Sequence, residues 1–195
     1  MRMVLAVTLT LLAGCGRSKV EYAELAYILS EQRAACESRV TGVNSAWNAA
    51  IKDDVDITLA VALYAKTLEG ATLDARIQAR REQAEPRLAA LSEGTGEIRS
   101  ALIDVAGKVA SLCSAAVDPE GFSLMSFGEM RREASVDLDE LESRTRILLG
   151  STKVPGETKD RLDAFVARSV EEATATLAEQ ERQRLAAEKA VESSA

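Results

Sequence analysis

The sequence predicts an all-α protein: an up-and-down antiparallel helical bundle of four to five long helices with a solvated helical C-terminal extension. Three observations predict it. Only three prolines interrupt 195 residues, so long stretches are free to keep the helical hydrogen-bond ladder. Apolar residues recur at alternating three- and four-residue steps, the period of one helix face. Short runs of turn-forming residues join these segments, which makes consecutive helices antiparallel neighbours.

The first segment is expected over about Val20 to Lys52. Tyr22, Ala26, Leu29, Cys36, Val40, Val43, Trp47 and Ala50 form its seam. Arg33 breaks the seam; its long stem lies along the apolar surface while its head reaches water. Asp53, Asp54 and Asp56 mark a turn and a new start, because carboxylates accept the free N–H groups there.

The second segment runs from about Val55 to Leu91. Leu59, Leu63, Leu73, Ile77, Ala84, Leu88 and Leu91 give one stripe, widened by Val61, Tyr64, Leu68 and Ala75. A stripe this broad implies more than one neighbour. Pro86 predicts a kink or break near Glu85. Ser92 to Gly96 reads as a loop.

The third segment covers about Glu97 to Val117, with Ile98, Leu102, Val105, Val109, Leu112 and Ala116 inward. Asp118-Pro119-Glu120-Gly121 is a turn: Asp accepts from the backbone, Pro sets φ, Gly permits positive φ. The fourth begins near Ser126, which has capping-box spacing to Glu129. Its inward positions are Phe127, Met130, Ala134, Leu138, Leu141 and Leu148, and Gly150 stops it. After a loop at 151–156, the fifth opens near Glu157 with Leu162, Phe165, Val166, Val170, Ala173 and Leu177 inward. Past Leu177 the stripe fails. Residues 178–195 favour helix by propensity but have nothing to bury, and read as a solvated helix fraying into a disordered end.

The remaining features concern address. Arg2 and the amino terminus precede an uncharged run from Met3 to Leu12. Ten uncharged, mostly apolar residues are too short for a bilayer-spanning helix, which needs about 20; they suit a targeting signal. The ending Leu12-Ala13-Gly14-Cys15 resembles the lipobox of bacterial lipoproteins. That resemblance implies cleavage between Gly14 and Cys15, a diacylglycerol on the Cys15 thiol, and acylation of the new amine. Several acyl chains hold stably where one holds marginally. The implied organisation is a signal peptide at 1–14, a lipidated Cys and polar tether at 15–19, a bundle at 20–177 and a tail at 178–195. The implied place is the periplasmic side of the bacterial envelope. Gly16 stands where enterobacterial lipoproteins carry an Asp for inner-membrane retention, which favours the outer membrane.

Cys36 and Cys113 remain. An oxidising compartment favours a disulfide between them, and the rise per residue puts both at about 24 Å along parallel helices. In a regular four-helix ring, however, the first and third helices sit diagonally, too far apart to bridge. The alternative is two buried free thiols.

Composition narrows the function. The chain has 24 basic and 31 acidic residues and a net charge of −7, which becomes −8 once Arg2 is removed. That balance argues against nucleic acid as a partner. The absence of His excludes the usual zinc, di-iron, haem and Ser-His-Asp sites. Arg76, Arg80, Arg81 and Arg87 read as a solvated helix face beside Glu82 and Glu85. Asp137, Asp139, Glu140 and Glu142 point to different faces and form no compact ligand set. Met125, Phe127, Met130 and Trp47 read as core. The expectation is therefore a non-enzymatic scaffold or interaction protein of the envelope, with no cofactor or metal and a protein partner. The alternative is a carrier for a small apolar ligand or lipid held between helices.

Overall fold

The computed structural model describes residues 3–91, 96–117 and 124–192; side chains are described from residue 19 on, except 115–117, 124–131, 133–135 and 192. Among these residues there are six helices and no strand. They are α1 (Met3–Lys52), α2 (Ile57–Ala65), α3 (Leu68–Ala90), α4 (Glu97–Val117), α5 (Leu124–Leu149) and α6 (Gly156–Glu192). The third predicted segment coincides with α4.

Successive long helices alternate in direction, as the short connections require. Glu24, Glu31 and Arg39 of α1 meet Arg87, Arg80 and Asp74 of α3 in reverse order, so those two run antiparallel. Lys108 reaching Asp137 joins α4 to α5, and Arg80 reaching Asp163 joins α3 to α6. The packing order across the molecule is α6–α3–α1–α4–α5. This is not a regular ring, because α1 stands in the middle with α3 on one side and α4 on the other. Leu25, Ile28, Leu29, Cys36, Val40 and Val43 of α1 are all essentially inaccessible to solvent.

That placement answers the diagonal objection. Having α1 and α4 as parallel neighbours lets Cys36 bond Cys113, with Cα atoms 5.1 Å apart. It also corrects the seam of α1. Ala23, Leu25, Ile28, Gln32, Ala35 and Arg39 are buried as well, because a central helix is covered on two sides. Gln32 and Arg39 hide this second stripe from a hydrophobicity reading.

The predicted second segment is two helices. The chain breaks at Lys66–Thr67, where Thr67 is extended at φ −72° and ψ 159° and its Oγ1 accepts from the Gly70 N–H. Thr67 also donates to the Tyr64 carbonyl at 2.7 Å. The break shifts the helical phase: Val61 and Tyr64 turn inward onto Val43, while Leu59, Leu63 and Leu68 turn outward. The stripe that placed these three leucines in the core is corrected accordingly. Pro86 lies inside α3 without ending it. The helix continues to Ala90, so of the kink or break expected near Glu85 the break does not occur.

Other boundaries follow local chemistry. Asp56 caps α2 by accepting from the Leu59 N–H at 2.9 Å. Asp54 adopts φ +53°, a left-handed conformation that a short polar side chain tolerates. Gly150 ends α5 at φ +62°, donating to the Arg146 and Ile147 carbonyls. Ser126 is the third residue of α5, so it is not an N-cap. The turn at 118–121 and the side chains of Met125, Ser126, Phe127, Glu129 and Met130 fall outside what the structure describes. At the other end α1 is helical without interruption through residues 15–19.

The tail is helical to Glu192, and every residue from 178 to 191 is exposed. The reason is the length of α3. Leu73 of α3 lies beside Val170 of α6, and α3 begins at Leu68, so α6 passes the end of its neighbour near residue 175. Exposed i,i+3 and i,i+4 pairs such as Arg184 with Glu181 and Glu188 support the remainder. Residues 193–195, where fraying was expected, lie outside the described set.

Two stability outcomes are expected. The Cys36–Cys113 bond closes a separation of 77 residues; its loss in a double Cys→Ser variant should cost about 4.5 kcal/mol by chain entropy, read from urea unfolding under oxidising conditions. An unchanged midpoint would mean the thiols are not joined. At Gly42 an added Cβ would collide with the Tyr64 ring. Gly42→Ala should cost about 1–3 kcal/mol, as overpacking does, although Ala is the better helix former.

Candidate functional site

Several of the charged residues singled out from the sequence join one helix to another. Arg80 is only 5% exposed, which corrects its reading as part of a solvated face. Its Nη2 lies 2.6 Å from Asp163 on α6, and its Nη1 donates to Gln83 at 3.0 Å. Tyr27 of α1 donates to the same Asp163 oxygen at 2.6 Å. Three helices thus meet at one carboxylate. The guanidinium also sits 5.3 Å from the Tyr27 ring centre, a cation–π distance.

The surroundings shift both acids. Burial, helped by the hydrogen bond to Asp163, pushes the Tyr27 phenol up to about 12, so it is a proton donor at neutral pH. Burial alone would raise Asp163, but the hydrogen bonds from Tyr27 and Arg80 outweigh it and hold its pKa below the ordinary value.

A second clamp is Arg39, 3% exposed. It donates to Asp74 at 2.8 Å and lies 4.8 Å from the Tyr64 ring centre, linking α1, α2 and α3. A third is Arg33, whose head meets Glu37, Asp139 and Glu142. Burial opposes its charge, but these carboxylates outweigh burial and raise its pKa. Asp137 pairs with Lys108. The acidic cluster on α5 is thereby divided between two neighbouring helices, and among the described residues no group of three or more potential ligands could hold a metal. Arg81 and Arg87 pair with Glu85 and Glu24. Trp47 is half-buried against Val43, Val61 and Tyr64.

Three clefts between helices are open to solvent. One of about 770 Å³ lies beside Arg33, Glu37 and Thr41, and one of about 500 Å³ beside Arg76, Arg80 and Asp163. The third, about 290 Å³, is walled by Ala26, Leu102, Val105 and Leu149 with Thr145 and Glu142. Each mixes charged and apolar lining, unlike the enclosed apolar chamber that a lipid carrier would use.

Two features lie at opposite ends of α1. At the start, Gly14 and Cys15 belong to the α1 backbone, with their side chains outside the described set. Among the described residues no helix is long and apolar enough to cross a membrane. At the far end, α2 and its flanks leave Ile51, Val55, Leu59, Leu63 and Leu68 exposed together. Sequence reasoning missed this face, since it assumed one continuous helix through Thr67; the sign of the break was a Thr three residues before a Gly.

Comparison with known protein families, with characterised proteins and with solved structures finds no match for this chain.

The triple junction at Asp163 makes a pH prediction. Its folded pKa lies below the unfolded one, so the junction contributes stability above the ordinary carboxylate range and loses it as pH falls through the folded value. Asp163→Asn should cost about 1–2 kcal/mol at neutral pH, the scale of hydrogen bonds to a partly screened charge. The variant's urea midpoint should also fall less than the parent's between about pH 5 and pH 2. Parallel pH curves would contradict the assignment.

Proposed function

We propose that this chain is a lipid-anchored, non-catalytic scaffold of a bacterial cell envelope, held to the membrane through Cys15 and facing the periplasm. The observation that carries the reading is the run from Met3 to Leu12 followed by Leu12-Ala13-Gly14-Cys15. The continuity of α1 supports it. The helix that bears Cys15 is also the central helix of the bundle, so an anchor there would hold the core directly, with no long linker between. Gly16 favours the outer membrane.

Scaffolding, as opposed to catalysis, is supported by where the charged side chains go. Arg33, Arg39, Arg80, Asp74, Asp139 and Asp163 are engaged in joining helices. The helical arm beyond residue 177, which buries nothing of its own, supports a partner-binding role. It projects from the end of the bundle remote from Cys15.

The test is incorporation of radiolabelled palmitate in cells. The parent chain should carry label and begin at Cys15 after processing. Cys15→Ser should carry none and remain uncut before residue 15. Label or processing that survives the substitution would overturn the reading.

A further inference from the structure

We infer that the outer face of α2 docks an amphipathic helix of another protein, one whose apolar side is flanked by Lys and Arg. The inference deepens the interaction-protein reading by naming a surface and its partner's chemistry; it does not depend on the lipid anchor.

Among the described residues the other exposed large aliphatic residues are Ile103 on α4, Val136 and Ile147 on α5, and Leu185 and Val191 on the α6 arm. Isolated residues of that kind are ordinary on a protein surface. Between residues 51 and 68 there are five, Ile51, Val55, Leu59, Leu63 and Leu68, each between 47% and 63% exposed. Leu59 and Leu63 are spaced by four on α2 and share one face; Val55 lies just before the Asp56 cap, Ile51 in the last turn of α1 and Leu68 at the start of α3. A contiguous apolar surface rimmed by polar residues marks an interaction site.

The face is built and held. Asp56 caps the start of α2, and Thr67 caps the start of α3 directly behind it. Val61 and Tyr64 fasten the inner side to Val43. The phase shift at Lys66–Thr67 is what turns Leu59 and Leu63 outward. A docking helix would meet a surface already in place, with little ordering left to do.

Charge selects the occupant. Beside the face stand Asp53, Asp54 and Asp56 against Lys52 and Lys66, all exposed. A second copy meeting face to face would set carboxylates against carboxylates, which costs affinity. An anionic bilayer would be repelled in the same way. A helix with apolar residues at i, i+3, i+4 and i+7 and basic flanks matches both the surface and the carboxylates beside it. The α6 arm emerges at this same end of the bundle, so one partner can reach both.

The test is photo-crosslinking in the native host with the full chain, placing benzoylphenylalanine singly at Leu59, Leu63, Ile103 and Leu185. Positions 59 and 63 should give an adduct with a second protein, and position 103 should not. Sequencing of the adduct should find a helical-period apolar segment flanked by Lys and Arg. Adding Asp53→Asn, Asp54→Asn and Asp56→Asn, which keeps a capping side chain on α2, should lower the yield at 59 about fivefold or more. Leu63→Asp should abolish it, with helix content checked by circular dichroism. Several results would overturn the inference: an adduct of two copies, a lipid adduct, a contact segment without basic residues, or a yield indifferent to the three Asn changes. Adducts at 185 alone would overturn the α2 surface and leave the scaffold reading standing. No protein adduct at 59, 63 or 185 would remove both.

Discussion

The parallel pairing of α1 with α4, held by the Cys36–Cys113 bond, is the constraint on which the rest of the arrangement depends. Helices joined by short connections run antiparallel to the helix before them. A parallel neighbour therefore comes two passes along the chain, with α2 and α3 together making the one return pass. Setting α4 beside α1 leaves α3 on the opposite flank of α1, and α5 and α6 on the outer sides of α4 and α3. The middle helix then becomes the most deeply buried one, which explains why α1 carries Leu25, Ile28, Leu29, Val40 and Val43 with almost no exposed surface.

Burial on both sides of α1 creates a problem that arginine solves. A helix covered twice has few positions from which a charge can reach water, yet Arg33 and Arg39 both lie on it. Each finds carboxylates on a neighbouring helix: Arg33 on α5 and Arg39 on α3. Arg80 does the same from α3 toward α6. Removing a buried charge's partner is costly, so these pairs favour one set of neighbours over others that would bury the same hydrocarbon. In a bundle rich in Ala, whose side chains offer little area per contact, that discrimination matters more than it would among large residues.

The two ends of α1 divide the molecule by role. Its beginning is the lipobox-like segment; its end supports α2, whose outer residues Leu59 and Leu63 no helix covers among the described residues. The α6 arm leaves the bundle near that same end because α3 is too short to accompany it. With the proposed lipid on Cys15, a chain tethered at one end and presenting apolar and helical surface at the other would have the layout of an adaptor. That layout needs no cavity, metal or titrating base among the residues described.

Much of this was legible residue by residue. The 3.6-residue period marked every long helix, the limits of α4 were read directly, and Gly150 and the aspartates at 53–56 marked turns by backbone chemistry that acts locally. Failure of the apolar stripe after Leu177 marked the arm. Side-by-side order was not legible, since the same stripes would pack equally well into a ring. Nor was the break at Thr67, where continued periodicity on either side masked a change of phase, or the persistence of α3 through Pro86. Which carboxylate each arginine meets was also hidden, because those partners lie 35 to 106 positions away. Periodicity is a property of neighbours along the chain; adjacency between helices is chosen by packing, charge pairing and one covalent bond acting over long separations, and only the folded molecule contains them.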